Sequence, residues 1–381
     1  MPGSAITDRS CVPAPWTRQF GTSGTDAAYG VAVDPGGNVL VAGSTFVGPT
    51  PGGQWEAFVR KYDAFGTLLW VRQFGTAEAS GVAVDSLGNV LVAGLTRGSL
   101  PGHANAGESD VFVRKYDASG SEMWTRQFGS TTLDLARSVA VDTFGNVLLT
   151  GDTSGALPGA VSIGATDVFV RKYDPSGNEL WTRQFGSPTS DEGRRVVVDQ
   201  SANVLVVGTT VGALPGQTFA GGADVFVRKY DAAGSEVWTR QYGTTDVELA
   251  RAAVVDVMGH VVVVAQAGGI SIVRKFDASG NELWTRQPAT SAPSGLAVDS
   301  AGNLVLAGLA PGAGPFVNND IALRKLDSSG NTVWAQQFGG PGEDRSWGLA
   351  VDGLGNILVS GSTTGQTVVG DQDAFVLRVL R

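Results

Sequence analysis

Eight residues before the aspartate of a recurring D-x-x-G-N turn, five stretches of the chain carry an acid: Asp26, Asp134, Asp191, Glu248 and Asp344. Three residues after those positions, the seven corresponding stretches read Tyr29, Ser80, Arg137, Arg194, Arg251, Ser294 and Trp347. Arginine can grip a carboxylate in a two-pronged fork. Three consecutive arginines opposite a Tyr and a Trp would suit an anionic sugar or a peptide carboxylate. The acids offer a second chemistry, since two carboxylates with raised pKa values, such as Asp134 and Asp191, could serve a hydrolase or lyase. A plainer role is also open to the arginines. Each can pair with a local acid or a neighbouring unit and tie the structure together, an exposed pair of that kind contributing only ~0–1 kcal/mol.

Other chemistry is thinly supplied. The two histidines are His103, in a Gly-rich loop, and His260, which replaces Asn in one of the D-x-x-G-N turns. They do not converge on a shared segment, which speaks against a His-based metal site or catalytic triad. The repeated D-x-x-G-N lacks the ligand density of a calcium loop and reads as turn chemistry. No metal and no cofactor is expected. The single cysteine, Cys11, excludes an intrachain disulfide. It follows "DRS", a poor match to a lipoprotein cleavage site.

The 381 residues carry a formal charge of −9, which disfavours nucleic acid and anionic membranes as partners. No apolar run approaches the ~18 residues of a membrane span. The opening "MPGSAITDRSCVPAP" has no apolar stretch long enough for a signal peptide. A cytoplasmic chain, or one whose export signal has been removed, fits that start.

The elements that must hold these residues repeat. Trp16, Trp70, Trp124, Trp181, Trp238, Trp284 and Trp334 mark a W-T-R-Q-F-G type segment, at spacings of 54, 54, 57, 57, 46 and 50 residues. Asp34, Asp85, Asp142, Asp199, Asp256, Asp299 and Asp352 open the turn, whose fourth position is glycine in every copy but one, Ala202. Arg60, Arg114, Arg171, Arg228, Arg274, Arg324 and Arg378 mark an F-V-R-K-Y-D type segment. A period near 50 is long enough for one four-stranded sheet per repeat. After Trp124, "RSVAVD" (137–142), "NVLLTG" (146–151), "DVFVRKYD" (167–174) and "NELWTRQF" (178–185) each read as a strand, rich in β-branched and aromatic residues and bounded by Gly, Asp and Ser. No helical period is sustained, so the chain reads as all-β.

A four-stranded unit apolar on both faces cannot bury itself, so units must stack. Radial stacking gives a β-propeller with only short exposed edges. The chain ends fit ring closure. One orphan strand, "PWTRQF" (15–20), precedes the first full unit, and the last unit supplies only three strands of its own. The expectation is an all-β, seven-bladed propeller of four antiparallel strands per blade over residues 14–381, a single domain behind a flexible tail of residues 1–13. The N-terminal strand completes blade seven, and "WTRQFG" is the outermost strand of every blade.

The repeat D-x-x-G-N-V-L-V-x-G, D-x-F-V-R-K-Y-D-x-x-G, L-W-x-x-Q-F-G resembles the SBBP family of bacterial seven-bladed β-propeller repeats. "GVAVD…GNVLVAG" is also similar to NHL propellers, and "DASGSEMW" to quinoprotein repeats. The SBBP resemblance implies a bacterial protein, extracellular or in the cell envelope, and implies no catalytic residues. An NHL-type lyase would need a histidine near the channel, and neither histidine is so placed. A quinoprotein would have eight blades and a dedicated cofactor pocket.

The connections are unequal. Turns between first and second strands, and between third and fourth, are short and uniform. The other two classes vary and fall on one face of the disc. They include 44–56, 95–109 and 309–319, and shrink to "QAGG" at 266–269. Variable loops on a rigid frame are where binding commonly resides. The leading expectation is a monomeric, non-enzymatic binding scaffold that presents this face and the channel mouth to a protein or glycan. A carboxylate-dependent hydrolase or lyase, or a purely structural module of a larger surface protein, is the alternative.

Overall fold

A computed structural model of the chain describes residues 14–48, 53–311, 318–340, 342–365 and 368–380. The tail of residues 1–13 with Cys11, part of the 44–56 loop and most of the 309–319 loop lie outside the described residues. Among the described residues the regular structure is β-strand alone, in 28 strands.

One unit explains the rest. Strands Asp134–Val141, Val147–Thr153, Asp167–Tyr173 and Glu179–Phe185 pair in that order, each antiparallel to the next. The first strand starts three residues ahead of the expected "RSVAVD". A β-bulge between Ala136 and Ser138 interrupts its alternation, so the sequence hides its opening turn of pleat. Five sheets have four strands. Two further four-stranded sets are joined by a single pair, Ile270 with Ser291, into one eight-stranded sheet.

The first-to-second turn is organised by its aspartate. Asp142 Oδ1 accepts from the backbone N–H of Phe144 and Asn146, both at 2.9 Å, and Oδ2 accepts from Asn146 Nδ2 at 2.8 Å. Gly145 closes the turn at φ +80°, a conformation that penalises a Cβ. Lys172 from the third strand caps the same carboxylate at 3.0 Å. His260 fills the Asn role in its own turn, with Nδ1 3.0 Å from Asp256 Oδ2.

Sheets are clasped to their neighbours through the W-T-R segment. Trp124 Nε1 donates to the Pro175 carbonyl at 3.1 Å, and Arg126 Nε donates to the Gly177 carbonyl at 2.7 Å. The Trp124 ring packs against Gly177, where an added Cβ would fall 2.9 Å from Cδ2. The Arg126 guanidinium lies 5.5 Å from the Trp124 ring centre. Between the sheets, Leu91, Val111 and Val113 of one face meet Val147, Leu149 and Phe169 of the next. Burying each such side chain contributes about 1.5–3 kcal/mol.

The strand Trp16–Phe20 pairs with Asp373–Val379, from Trp16 opposite Arg378 to Phe20 opposite Ala374, and so becomes fourth in a sheet with Asp344–Val351 and Ile357–Thr363. First strands pack against first strands along the chain, and Asp344–Val351 packs against Asp26–Val33. The result is a β-propeller of repeated four-stranded sheets.

Candidate functional site

The β-bulge recurs in each first strand. It falls between Ala28 and Gly30, Ala79 and Gly81, Ala136 and Ser138, Gly193 and Arg195, Ala250 and Ala252, and Ser346 and Gly348, with a longer irregularity from Ser291 to Gly295. The residue taken out of register is therefore Tyr29, Ser80, Arg137, Arg194, Arg251 or Trp347, and Ser294 falls inside the longer break. A bulge re-aims a side chain that the pleat would otherwise send into a sheet interface. All seven line one cavity of about 530 Å³. Leu95, Gln266 and Leu309 also line it. They stand at the ends of second strands, where the variable loops begin.

The cavity wall has two chemistries. Tyr29 and Trp347 meet edge to face, ring centres 5.8 Å apart, and Trp347 Nε1 donates to Ser362 Oγ at 3.1 Å. Burial, then Glu78, raises the Tyr29 hydroxyl above its ordinary value. The other side is cationic. Arg137 Nε donates to Asp152 Oδ2 at 2.5 Å, and its Nη2 lies 3.8 Å from Glu192. Arg194 pairs with the same Glu192. Arg251 donates from Nε and Nη2 to the neutral Gln266 Oε1, at 3.1 and 2.7 Å. Ser294 and Ser346 share a hydrogen bond of 2.7 Å.

Two participants escaped the sequence reading. Arg195 follows the bulge, where the other units have Gly30, Gly81, Ser138, Ala252, Gly295 and Gly348. It lines the main cavity and a narrower one of about 120 Å³ beneath, and Tyr29, Ser80, Arg137 and Trp347 line both. Burial, then Arg194 and Arg137, lowers its pKa to about 10, so it stays cationic at neutral pH. Asp152, in the second strand, is buried between Arg137 and the backbone N–H of Gly193, which donates to Oδ1 at 2.8 Å. Burial raises its carboxyl to about 6, against the pull of Arg137. Laying the units in register would have exposed Arg195 as a departure from small residues, whereas the Asp152 position varies from unit to unit, with Ser44, Leu95, Thr209, Gln266, Leu309 and Ser362 at its equivalents.

The five acids named with the ring stand elsewhere, and none lines the cavity. Asp134 Oδ2 accepts from the Ser130 N–H at 2.6 Å and its hydroxyl at 2.9 Å. Asp191 holds Ser187 the same way, at 2.6 and 3.1 Å, and Asp26 holds Thr22, at 2.7 and 3.1 Å. Asp344 accepts from the Gly340 N–H at 2.7 Å. Glu248 is buried at the equivalent position. The reason is local: an acid five residues after the glycine of the W-T-R-Q-F-G segment folds back on the loop that leads into the first strand. Burial raises Asp134 and Asp191 above their ordinary values, yet these carboxylates anchor loops rather than face the cavity. Among the described residues no group of three or more His, Cys, Asp or Glu side chains could hold a metal ion. No helix among them is long and apolar enough to cross a membrane.

Fold and site together define a β-propeller whose first strands aim bulged side chains at a central cavity. The family model of the SBBP beta-propeller repeat matches five segments of the chain, residues 16–47, 69–101, 124–158, 180–214 and 333–366. It is 30% identical over 187 residues to a regulatory protein, FlaEY, of Caulobacter vibrioides, covering 44% of this chain and 20% of that protein. It is 24% identical over 229 residues to an uncharacterised WD repeat-containing protein of Acanthamoeba polyphaga mimivirus, covering 46% of this chain and 16% of that protein. The chain thus spans a fifth or less of the length of these relatives. Among solved structures, the Dos1 propeller matches with a TM-score of 0.52 at 10% identity, covering 95% of this chain and 94% of that one. A protein from Lactobacillus plantarum matches with a TM-score of 0.51 at 16% identity, covering 81% and 84%. At these identities the likeness concerns the fold.

Proposed function

We propose that the chain is a non-enzymatic interaction scaffold, a monomeric seven-bladed disc closed by Trp16–Phe20, with its binding surface on the variable-loop face. The ligand is a glycan or a protein segment that enters the central cavity. The observation that carries this reading is the convergence of seven bulged side chains on one cavity of about 530 Å³, beside the ends of the variable loops. That volume falls within the ~300–1,000 Å³ usual for ligand pockets. The acids' engagement with loop backbone supports binding over carboxylate catalysis. The bacterial, envelope or extracellular setting belongs to the same proposal. It rests on the repeat family and on a net charge of −9 that disfavours nucleic acid.

The test is a glycan and peptide array probed with three proteins: wild type, Arg137→Ala/Arg194→Ala/Arg251→Ala, and Leu87→Ser/Phe144→Ser. The last pair alters exposed first-to-second turns on the opposite face. Hits lost in the cavity variant and kept in the turn variant are the expected result. Hits indifferent to the cavity variant overturn the reading.

A further inference from the structure

Resting on that scaffold reading, we propose that the cavity is a site for a carboxylated sugar ring, a hexuronate unit, with Arg195 as the deep anchor for its carboxylate.

The charge of the wall favours an anion. Arg137, Arg194, Arg195 and Arg251 line the cavity, and the acids beside them are Asp152 and Glu192. The other charges on the wall are already matched, Glu78 by Arg97 and Arg345 by Glu343. A local excess of cation inside a chain of net charge −9 is a focused field for an anion.

Hydrogen-bonding capacity is also unmet. A guanidinium has five N–H donors. Among the described residues Arg195 makes one hydrogen bond, from Nη1 to the Arg194 carbonyl at 3.1 Å, and no ion pair. Arg194 Nε is buried with no acceptor. Leaving the buried Arg194 donor unmet is costly, and a bound oxyanion would meet it together with the open donors of Arg195. The structural Arg126, by contrast, spends its donors on three carbonyls, those of Gly177, Thr125 and Ser176. Small residues at the matching positions of the other units leave the throat open around Arg195.

The facing wall selects the body that carries the anion. Opposite the arginines stands the Tyr29–Trp347 pair, an apolar wall with polar rims. Ser80, Ser294, Ser346 and Gln266 complete the lining. The wall is donor-rich. A sugar hydroxyl can turn as donor or acceptor to suit such a wall, whereas each peptide unit brings, beside an accepting carbonyl, an N–H that needs an acceptor of its own. That asymmetry favours a sugar acid over a peptide C-terminus.

Calorimetry of the whole chain with trigalacturonic acid, its methyl ester and the peptide Gly-Gly-Trp tests this. Trigalacturonic acid should bind, and esterification, which removes charge and keeps shape, should weaken it by about tenfold or more, the scale of a charged hydrogen bond. Arg195→Met should match that loss, Arg195→Lys should recover part of it, and added salt should weaken the wild type. Arg195→Met should melt no lower than wild type, because it removes a half-buried cation that has no ion-pair partner among the described residues. A melting temperature several degrees lower would make Arg195 a strut and overturn the proposal. So would equal binding of acid and ester, tighter binding of Gly-Gly-Trp, displacement by equimolar inorganic phosphate, or no binding of trigalacturonic acid. If array hits still depend on Arg137, Arg194 and Arg251 in any of those cases, the scaffold reading survives and only the uronate fails.

Discussion

The indole Nε1 of Trp16 donates to the carbonyl of Ala64 at 3.0 Å, and Arg18 Nε donates to Gly66 at 2.7 Å. This is the clasp that Trp70 and Arg72 place on Ala118 and Gly120, and that Trp124 and Arg126 place on Pro175 and Gly177. Arg378, standing where other units have lysine, donates to the same Ala64 carbonyl at 2.7 Å and to Asp352 at 2.8 Å. The N-terminal strand thus does for its sheet what the segments at Trp70, Trp124, Trp181 and Trp238 do for theirs. Trp16→Ala should cost about 3–5 kcal/mol, the usual range for a buried Trp, and Trp70→Ala should cost less because its indole is more exposed. Urea denaturation followed by circular dichroism measures both. Removing residues 1–22 strips Asp373–Val379 of its partner and exposes a sheet edge, so that truncation should be insoluble or aggregated. An equally stable, soluble truncation would contradict closure by this strand.

Lys115 and Asp85 form a buried ion pair at 3.0 Å. Burial pulls the Asp85 carboxyl upward, but the bonds from Asn89 and Lys115 outweigh it and hold it below its ordinary value. Lys115 Nζ also reaches the Pro175 carbonyl of the next sheet, at 3.4 Å. Breaking one side of a buried pair costs about 3–5 kcal/mol, and replacing both sides costs less. Lys115→Met should therefore destabilise more than Lys115→Met/Asp85→Asn. A double-mutant cycle in urea measures the coupling, and strict additivity would show that the pair is not coupled.

Much of this was readable from the chain because the repeat states it many times. Val147–Thr153 and Asp167–Tyr173 show their strands through β-branched and aromatic runs, and Asp142 with Gly145 shows its turn. The ring of seven was also legible as a set of positions, and the structure brings those side chains to one cavity. The five acids were not legible in role. Asp134 is as polar in a loop anchor as in a catalytic site, and only the Ser130 backbone tells the two apart. Arg195 was missed because period-two reasoning assigns each residue to a face, and a bulge reverses that assignment just beyond it; Asp152 was missed because it is the partner of a bulged residue on the facing strand rather than a member of the ring.

Ala202 tests the turn chemistry. It occupies the glycine position of its turn at φ +59° and is fully buried. An L-residue there costs roughly 1–2 kcal/mol, and burial of the methyl offsets about 0.8 kcal/mol of it. Ala202→Gly should therefore change stability by no more than about 1 kcal/mol, with a gain favoured. Gly88→Ala, at φ +81° with only the Ala118 methyl 3.6 Å from the new Cβ, should destabilise by about 1 kcal/mol or more. Thermal melts of the two variants read the difference. A loss on Ala202→Gly larger than the loss on Gly88→Ala would reverse the argument.

The pH dependence should show two carboxylate populations of opposite sign. Asp34, Asp85, Asp199, Asp256, Asp299 and Asp352 are held below their ordinary values, the upward pull of burial being outweighed by turn hydrogen bonds and a cationic partner. Their folded state binds protons less readily than the unfolded chain. Their stabilisation is complete above the unfolded value near 3.8 and is lost as pH falls below it. Asp152 works the other way. Its folded value is raised to about 6 by burial, partly offset by Arg137. Between about 4 and 6 the folded state binds more protons than the unfolded one, so stability falls as pH rises through that window and levels off above it. A shift of about two units corresponds to at most ~3 kcal/mol. Asp134 and Asp191, also raised by burial, act in the same direction, so Asp152→Asn should shrink the fall between pH 4 and 6 and leave the loss below pH 4 intact. Urea midpoints taken every half unit of pH measure this, and a wild-type curve that rises through pH 4–6 would refute the assignment.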